Sequence, residues 1–417
     1  MAKFLVKGHR KLNGEIYISG SKNTILALIP ASILVKGKVI FKNVPRIKDV
    51  EVMLKIMQYL GAETLFQDNT LIIDTTNLEY RPLTINEVKQ LRASILFLGP
   101  LLVRFGKIKS YLPGGDVIGA RPLEAHFEGL QELGCKISVK GNMILGSFKK
   151  FQNDTIILKE ASVTATETLI MASCLSSKKI SLRLVSLEPH VQHLCRFLIK
   201  AGYRIKGTGT HFLEVSKGEK IKRLVSFYVN PDYIETASFL ALTPVIKNKL
   251  ILKNNDYESL DAILSVCKAM GVNYSLKKTD IILKPSLLKG AKIQTGLHPK
   301  FPSDAHPPFG VMATQAYGVS FIHEWLYENR FGYLNELKVM GANVEILDPH
   351  RAIIIGPTPL FGKEVGSLDI RSGISLLIGA LYAYGETVIN DVEKIDRGYE
   401  KIEEKLLNIG AYIKRLE

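Results

Sequence analysis

The sequence predicts an α/β protein of two domains, each built from three copies of one repeated unit. Six amphipathic helical patterns recur along the 417 residues, and each is closed by a glycine and followed by a strand-like run. A hydrophobic content of 46% with 23% charged residues is typical of a globular chain, and this length exceeds one ordinary core. Six such units fit two domains of three. The closing glycines, 68 to 73 residues apart, are Gly61, Gly134, Gly202, Gly271, Gly341 and Gly410.

Each repeat contains two helical patterns of different polarity. In the second repeat, apolar residues recur every three or four positions from Leu123 to Leu133 until Gly134 ends the pattern, which predicts an amphipathic helix. Glycine is favoured at that end because the residue that closes a helix commonly adopts a left-handed backbone conformation. The other pattern, for example "ASILFLGPLLV" (residues 93–103) and "SGISLLIGALYA", is apolar on most faces and predicts a helix inside the protein. Short β-type runs such as "KVIF" separate the helices.

Basic side chains recur where these helices begin. Helix N-termini offer unpaired N–H groups and a partial positive charge, so basic residues beside them favour binding of a phosphate or carboxylate. A single Lys or Arg is usually solvated surface, but the same placement in repeat after repeat favours a site. The residues are Lys22, Arg92 and Arg371 before apolar helices and Arg121, Arg330 and Arg397 before amphipathic ones.

The segment "LPGGDVIGARP", residues 112–122, places an isolated carboxylate between two glycines and a helix. Gly114 and Gly115 allow backbone angles closed to other residues, so Asp116 is expected on a sharply bent loop. Asp116 and Asp304 are candidates for moving protons beside the cations, one as acid and one as base. Neighbouring cations ordinarily lower the pKa of a carboxyl group. An acid role for Asp116 therefore requires that the substrate deliver the proton or that the site be partly desolvated.

Composition limits the classes of partner. The formal charge of +15, from 55 Lys and Arg against 40 Asp and Glu, favours phosphorylated metabolites, nucleic acid or anionic lipid. No apolar run approaches a membrane span and no signal-peptide pattern opens the chain, so a cytoplasmic protein without membrane attachment is expected. Scattered aromatic side chains argue against nucleic acid. Four cysteines without CxxC spacing predict reduced thiols, and no metal site or cofactor motif is found, so no cofactor is expected.

Several motifs together resemble those of the enolpyruvyl transferase family. They run from "LNGEIYISGSKN" through "LRAS", "LPGGDVIGARP", "FPSD" and "ENRF" to "IDRGYEKIEEKL", so the resemblance covers essentially the whole chain. It implies an inside-out α/β barrel fold with two domains, each of three βαβαββ units. It also implies that residues 22–229 form a domain carrying the 112–122 loop, inserted between 1–21 and 230–417 of the other domain.

The resemblance also implies an activity. Enolpyruvyl would pass from phosphoenolpyruvate to the 3'-hydroxyl of UDP-N-acetylglucosamine, with release of phosphate, in peptidoglycan precursor synthesis. Asp304 would remove the hydroxyl proton and Asp116 would protonate the methylene carbon, while Lys22 and Arg397 act on the phosphate. A monomer that takes only these small molecules is expected. The implied substrate-binding residues are Asn23, Arg92, Arg121, Pro122, Leu123, Glu124, Ser162, Val163, Leu326, Arg330 and Arg371.

Asp116 is a departure with a chemical consequence. Many family members carry cysteine at this position, and some carry aspartate. A carboxylic acid can supply a proton, but it cannot form the thioether by which fosfomycin inactivates the cysteine form, so insensitivity to fosfomycin is predicted. The other departures are "AHPP" (305–308) after Asp304, where the family commonly has Met-Gln, Glu160 in place of a basic residue, and Thr164 in place of glycine.

Two other functions stay open on the sequence. A 5-enolpyruvylshikimate-3-phosphate synthase would share the fold and the chemistry, although its serine-rich binding segments are not found here. A polyanion-binding protein on the same scaffold would fit the basic charge, and its binding should weaken steeply with salt. Intact Lys22, Asp304 and Arg397 favour an enzyme.

Overall fold

Two units, each with its own hydrophobic core, make up the chain. The computed structural model describes residues 2–116 and 118–416. Unit 1 comprises Met1–Ser19, Val117–Ala120 and Pro231–Glu417, and unit 2 comprises Gly20–Asp116 and Arg121–Asn230. Unit 2 is therefore inserted into unit 1 along the chain. Val117, within the segment singled out in the sequence, lies outside the described residues.

The strands are short, and most alternate buried with exposed side chains, as expected for strands with one face on a core. In chain order, β1 to β23 of the described residues are Lys3–Lys7, Leu12–Tyr17, Lys38–Lys42, Glu63–Gln67, Thr70–Asp74, Lys107–Tyr111, Cys135–Lys140, Met143–Phe148, Thr155–Ile157, Ile180–Arg183, Arg204–Lys206, Phe212–Ser216, Leu224–Tyr228, Ile246–Lys253, Tyr274–Lys277, Asp280–Leu283, Lys292–Gln294, Gly318–His323, Asn343–Asp348, Arg351–Gly356, Glu364–Gly366, Glu386–Asn390 and Tyr412–Leu416.

One pairing pattern recurs in the six sheets of the described chain. Unit 1 has the strand orders β21-β22-β1-β23, β15-β16-β14-β2 and β17-β18-β20-β19, and unit 2 has β11-β12-β10-β9, β13-β3-β5-β4 and β6-β8-β7. In five sheets one strand pair is parallel and the others are antiparallel. In the three-stranded sheet an isolated parallel bridge between Leu83 and Ser110 takes the place of the parallel pair. The predicted α/β class and repeated unit are thus confirmed.

The apolar helices form the interior of each unit, with α1, α3 and α5 in unit 2 and α7, α9 and α11 in unit 1. All thirteen residues of α11 are buried, whereas the amphipathic helices keep one face exposed. In chain order, α1 to α13 of the described residues are Lys22–Ala31, Lys48–Tyr59, Leu98–Phe105, Glu124–Glu132, Val163–Ser173, Pro189–Ala201, Tyr233–Leu240, Asp261–Ala269, His306–Ala313, Gly332–Val339, Ile370–Tyr382, Glu393–Asp396 and Ile402–Leu407.

All six glycines that close the repeats adopt positive φ, between 77° and 106° for five of them and 108° for Gly202. Only glycine takes this conformation without strain, so the predicted helix ends are confirmed. One helix departs from expectation, because the apolar run from residue 93 begins as a 3-10 turn at Arg92–Phe97 before α3. Pro100 has no N–H for the carbonyl of Leu96, so a regular α-helix cannot continue through this point.

The described residues contain no helix that could cross a membrane. Every helix there is either too short or too polar to cross a bilayer.

Candidate active site

Asp304 of unit 1 is held by two buried arginines. It lies on the 3-10 turn Ser303–Ala305 that leads into α9. Arg330 Nη2 is 2.5 Å from Asp304 Oδ1, and Arg371 Nε is 3.1 Å from Oδ2. Arg330 is 4% exposed and Arg371 is 3% exposed, whereas about a third of the Asp304 side chain reaches solvent. Two buried cations thus converge on one accessible carboxylate, which is an arrangement suited to an anionic ligand.

The start of α11 positions Arg371. Asp369 caps this helix, and its Oδ1 accepts the backbone N–H groups of Arg371 at 2.8 Å and Ser372 at 3.2 Å. Arg371 Nη1 donates to Tyr399 Oη at 3.0 Å, and Tyr399 in turn lies 2.8 Å from Ser238 Oγ. Burial alone would lower the pKa of Arg371, but Tyr399 and Asp304 outweigh it, and the pKa is raised. The guanidinium is therefore charged and fixed in direction.

Arg330 lies two residues ahead of α10 in a turn that begins at Glu324. Glu324 Oε1 accepts the backbone N–H groups of Leu326 at 2.8 Å and Tyr327 at 3.2 Å, which closes the turn. Burial opposes the charge of Arg330, but Asp304, foremost among the neighbouring carboxylates, raises its pKa above the usual value. The same turn therefore presents both the cation and the half-buried Leu326.

The sequence predicts Arg397 at the start of an amphipathic helix, but the structure does not place it in the first turn of one. It lies half-buried directly after the short helix α12, five residues ahead of α13. A continuous helix from α12 into α13 is excluded, because Lys401 between them adopts a left-handed φ of 48°. Helix-dipole reasoning therefore does not apply to Arg397. The segment is still informative, because it carries Tyr399, which contacts Arg371.

In unit 2, Lys22 forms a buried ion pair that was not anticipated from the sequence. It is the first residue of α1, where Ser21 Oγ caps the helix by accepting the N–H of Thr24. Its Nζ lies 2.8 Å from Oδ2 of Asp49 in the first turn of α2. Acidic residues are common in the first turn of a helix, where they complement the helix dipole. Asp49 could therefore not be recognised from the sequence as the partner of Lys22. Asn23 follows Lys22 and is half-buried.

The glycines of the 112–122 segment allow a close approach of several chain segments in unit 2. A Cβ on Gly114 would lie 1.8 Å from the carbonyl oxygen of Lys89, and Gly115 has a φ of +128°. Arg92 Nη2 donates to the carbonyls of Arg121 and Pro122, and Arg121 Nη2 donates to the carbonyl of Asp116. Arg92 and Arg121 therefore hold the backbone on both sides of the loop, which leaves Asp116 half-buried at its bend.

The residues matched to the sugar nucleotide lie at the starts of α4 and α5. Pro122 and Leu123 lead into α4, which begins at Glu124, and Ser162 precedes α5, which begins at Val163. These helices approach closely at Gly129, where a Cβ would meet Leu169 Cδ1 at 2.6 Å. All five of these residues are exposed or half-buried, namely Pro122, Leu123, Glu124, Ser162 and Val163.

His126 links these two helix starts, and sequence reasoning missed it. Its Nε2 lies 2.9 Å from Oγ1 of Thr164, the residue that departs from the family's glycine. The imidazole is 1% exposed, and burial, reinforced by the positive charge of Arg92, lowers its pKa to about 3. Neutral His126 thus acts as a hydrogen-bonding group between α4 and α5.

The predicted residues therefore form two clusters, one in each unit. Unit 1 joins Asp304, Arg330 and Arg371 directly, whereas unit 2 groups Arg92, Arg121 and the Asp116 backbone and pairs Lys22 with Asp49. Both clusters contain cations that are partly or fully withdrawn from water. Such cations bind anions more strongly than exposed ones do, because less screening opposes them.

The chain is similar to known proteins over most of its length. Residues 6–406 match the family model described as EPSP synthase (3-phosphoshikimate 1-carboxyvinyltransferase). A UDP-N-acetylglucosamine 1-carboxyvinyltransferase of Borrelia garinii subsp. bavariensis is 37% identical, with 100% of each chain covered. One from Campylobacter lari is 38% identical over 99% of each chain.

A solved structure is similar in fold. The enolpyruvyl transferase NikO from Streptomyces tendae superposes with a TM-score of 0.91 over 99% of this chain and 98% of its own, at 21% identity. The fold inferred from the motifs is thereby confirmed. The chain belongs to the enolpyruvyl transferase family, and the relatives that it matches over its full length include UDP-N-acetylglucosamine 1-carboxyvinyltransferases.

Proposed function

We propose that this chain transfers the enolpyruvyl group of phosphoenolpyruvate to the 3'-hydroxyl of UDP-N-acetylglucosamine and releases phosphate. This would be the first committed step of peptidoglycan precursor synthesis. Full-length similarity to transferases of that name supports the choice of acceptor. The structural observation that carries the chemistry is the pairing of Asp304 with two buried arginines, because it combines a proton acceptor with an anion-binding pair.

The arginine pair is suited to the carboxylate of phosphoenolpyruvate. Arg330 Nε is buried and has no hydrogen-bond partner within the described residues, so this guanidinium has donor capacity that the protein does not use. A buried donor without a partner costs free energy, and a ligand carboxylate can supply the missing acceptor. Arg371 offers a second fork whose orientation is set by Asp369 and Tyr399.

Binding of that carboxylate would also activate the base. While both arginines hold Asp304, their charge stabilises its ionised form and opposes proton uptake. A substrate carboxylate that shares Arg330 and Arg371 neutralises part of this charge, so Asp304 becomes a better proton acceptor once the substrate is in place. The arrangement makes proton removal depend on the presence of phosphoenolpyruvate, which suppresses unproductive chemistry.

The reaction then proceeds by addition and elimination. Asp304 takes the proton of the 3'-hydroxyl, the sugar oxygen forms a bond to C2 of phosphoenolpyruvate, and C3 takes a proton from the carboxylic acid of Asp116. In the second stage C3 returns a proton to the carboxylate of Asp116, the bond from C2 to the phosphate oxygen breaks, and the phosphate leaves with the proton that Asp304 had taken. Lys22, Arg121 and Arg397 neutralise the charge that develops on the phosphate, and Asn23 orients the substrates.

The sugar nucleotide would be bound mainly by residues around the starts of α4 and α5. Arg92 supports the backbone at Arg121 and Pro122, and His126 connects α4 to Thr164. The proposed binding set of this part is Arg92, Arg121, Pro122, Leu123, Glu124, Ser162 and Val163, with Leu326 from unit 1. Because fixed cations can stabilise the transition state without a metal ion, activity is expected to persist with a chelator present.

Phosphate release tests the proposal directly. Purified protein is supplied with phosphoenolpyruvate and either UDP-N-acetylglucosamine or shikimate 3-phosphate, and free phosphate is measured with time. Release only with the sugar nucleotide is expected. Release only with shikimate 3-phosphate would assign the chain to the other acceptor. No release with either, from a folded protein, would overturn the enzyme assignment and favour polyanion binding, which a salt titration of binding would then measure.

A further inference from the structure

A buried group of three side chains lies next to the Asp304 cluster and has no part in the chemistry described above. His306 begins α9, two residues after Asp304, and Glu324 begins the turn that carries Arg330. His306 Nε2 is 3.3 Å from Glu324 Oε2, and Tyr333 Oη on α10 is 3.4 Å from His306 Nδ1. His306 and Glu324 are 0% exposed and Tyr333 is 1% exposed.

The number of protons in this group follows from the contacts. Neither His306 Nε2 nor Glu324 Oε2 has a conventional hydrogen-bond partner among the described residues. Two bare lone pairs facing each other at 3.3 Å would repel, so an arrangement with one proton between them is favoured. Burial, reinforced by Arg330, lowers the pKa of His306 far below its usual value, so the imidazole is neutral and carries a single proton.

The neighbours of Glu324 favour placing that proton on His306. Burial raises the pKa of Glu324 above its usual value. The backbone N–H groups on Oε1, the positive charge of Arg330 and the hydroxyls of Ser303 and Thr295 act in the opposite direction, towards the ionised carboxylate. His306 then carries its proton on Nε2 and donates it to Glu324, which leaves Nδ1 as the acceptor for the hydroxyl of Tyr333. With an ionised Glu324, this arrangement gives each of the three groups a partner.

We propose that His306 is a positioning residue for the enolpyruvyl transfer, and that it acts by donating Nε2–H to Glu324; this role rests on the function proposed above. Asp304 and His306 lie on one segment, and Arg330 and Glu324 lie on the other. Two contacts therefore join the same two segments. When phosphoenolpyruvate draws Arg330 away from Asp304, the contact between His306 and Glu324 keeps the segments in register, so Asp304 stays in place to accept the proton.

Two substitutions of His306 separate hydrogen bonding from space filling. In His306→Gln the amide can still donate to Glu324 and accept from Tyr333, whereas His306→Leu fills similar volume and can do neither. We expect His306→Gln to keep kcat within about threefold, and His306→Leu to lose roughly 10–100-fold in kcat, with a higher KM for phosphoenolpyruvate. His323→Gln, which removes a half-buried imidazole at the end of β18, is the matched control and should leave both constants unchanged. Equal kinetics for the Gln and Leu variants, both folded, would overturn the proposal.

The tautomer of His306 gives a test that does not need turnover. Histidine labelled with 15N at both ring nitrogens, assigned by comparison with His306→Gln, distinguishes a neutral ring protonated at Nε2 from one protonated at Nδ1 and from a charged ring. The expected result is the neutral Nε2–H form at neutral pH. A charged ring or the Nδ1–H form would overturn the proposal, even if the enolpyruvyl transfer itself were demonstrated. An Nε2–H ring in a protein that turns over neither acceptor would instead place the failure in the proposed function.

Discussion

Lys22 and Asp49 form an ion pair of 2.8 Å between Nζ and Oδ2, and both side chains are more than nine-tenths buried. Two charges withdrawn from water in this way depend on each other, because removing one partner typically costs about 3–5 kcal/mol. The ammonium of Lys22 is thus held at the start of α1 by a carboxylate, which the phosphate of the proposed reaction would replace in part. Asp49 therefore supplies the counter-ion of Lys22 within the protein itself.

Asp49→Asn should reveal this exchange of counter-ions. The variant keeps the shape of the side chain but removes its charge, so we expect the free energy of unfolding to fall by about 3 kcal/mol. Inorganic phosphate should restore part of the loss, because it supplies the missing negative charge. Urea unfolding with and without phosphate measures both effects. Equal stabilisation of the wild type and the variant by phosphate would contradict the prediction.

Asp304→Asn should separate catalysis from binding. Loss of the proton acceptor is expected to lower kcat by about 100-fold or more. The affinity for phosphoenolpyruvate should be unchanged or higher, because Arg330 and Arg371 no longer interact with a competing carboxylate. Single-turnover kinetics and calorimetric titration give the two quantities. Weaker binding of phosphoenolpyruvate to a folded variant would argue against substrate-dependent release of Asp304.

The wild-type protein should keep its activity in fosfomycin, and Asp116→Cys should become sensitive. A thiolate at this loop position can form the thioether, whereas a carboxylate cannot. The native cysteines offer no alternative, because all four are buried, and burial raises the pKa of Cys135 and Cys195 to about 12. The readout is a time-dependent loss of activity in the variant, with the mass of fosfomycin added to the peptide that carries the introduced thiol. Asp116→Ser is the control for labelling and should gain no mass from fosfomycin.

Removing His126 should change how stability depends on pH. Its pKa is about 3 in the folded protein, against about 6.5 in the unfolded chain. The unfolded state therefore binds the proton first, so stability is full above pH 6.5 and falls as the pH drops towards 3, by up to about 1.4 kcal/mol per pH unit. His126→Gln can keep a hydrogen bond to Thr164 but does not titrate.

The difference appears in the slope of stability against pH. Urea unfolding between about pH 6.5 and pH 4 should show a steeper loss for the wild type than for His126→Gln, since both share every other titrating group. Parallel curves for the two proteins would show that His126 does not stay neutral in the folded state.

The local sequence pattern was sufficient to predict most secondary-structure elements of this protein. Gly134 and Gly202 could be recognised as helix ends because the left-handed conformation is a property of the residue itself. The buried helix α11 could be recognised from its composition, since apolar periodicity acts within a few turns. For the apolar run around Pro100 the helix prediction is only partly right, because the run begins as a 3-10 turn at Arg92–Phe97. The proline that interrupts the α-helix is visible in the sequence.

Contacts between distant residues could not be read in this way. Asp304 meets Arg371 across 67 positions, and His126 meets Thr164 across 38. Motifs indicated that Asp304 and Arg371 were functional, but no local pattern indicated Asp49, Tyr399 or the pairing of His306 with Glu324. Propensity and periodicity depend on neighbours along the chain. Which buried charge meets which depends on how whole helices and sheets pack, since withdrawing a charge from water is tolerated only where packing brings it a partner.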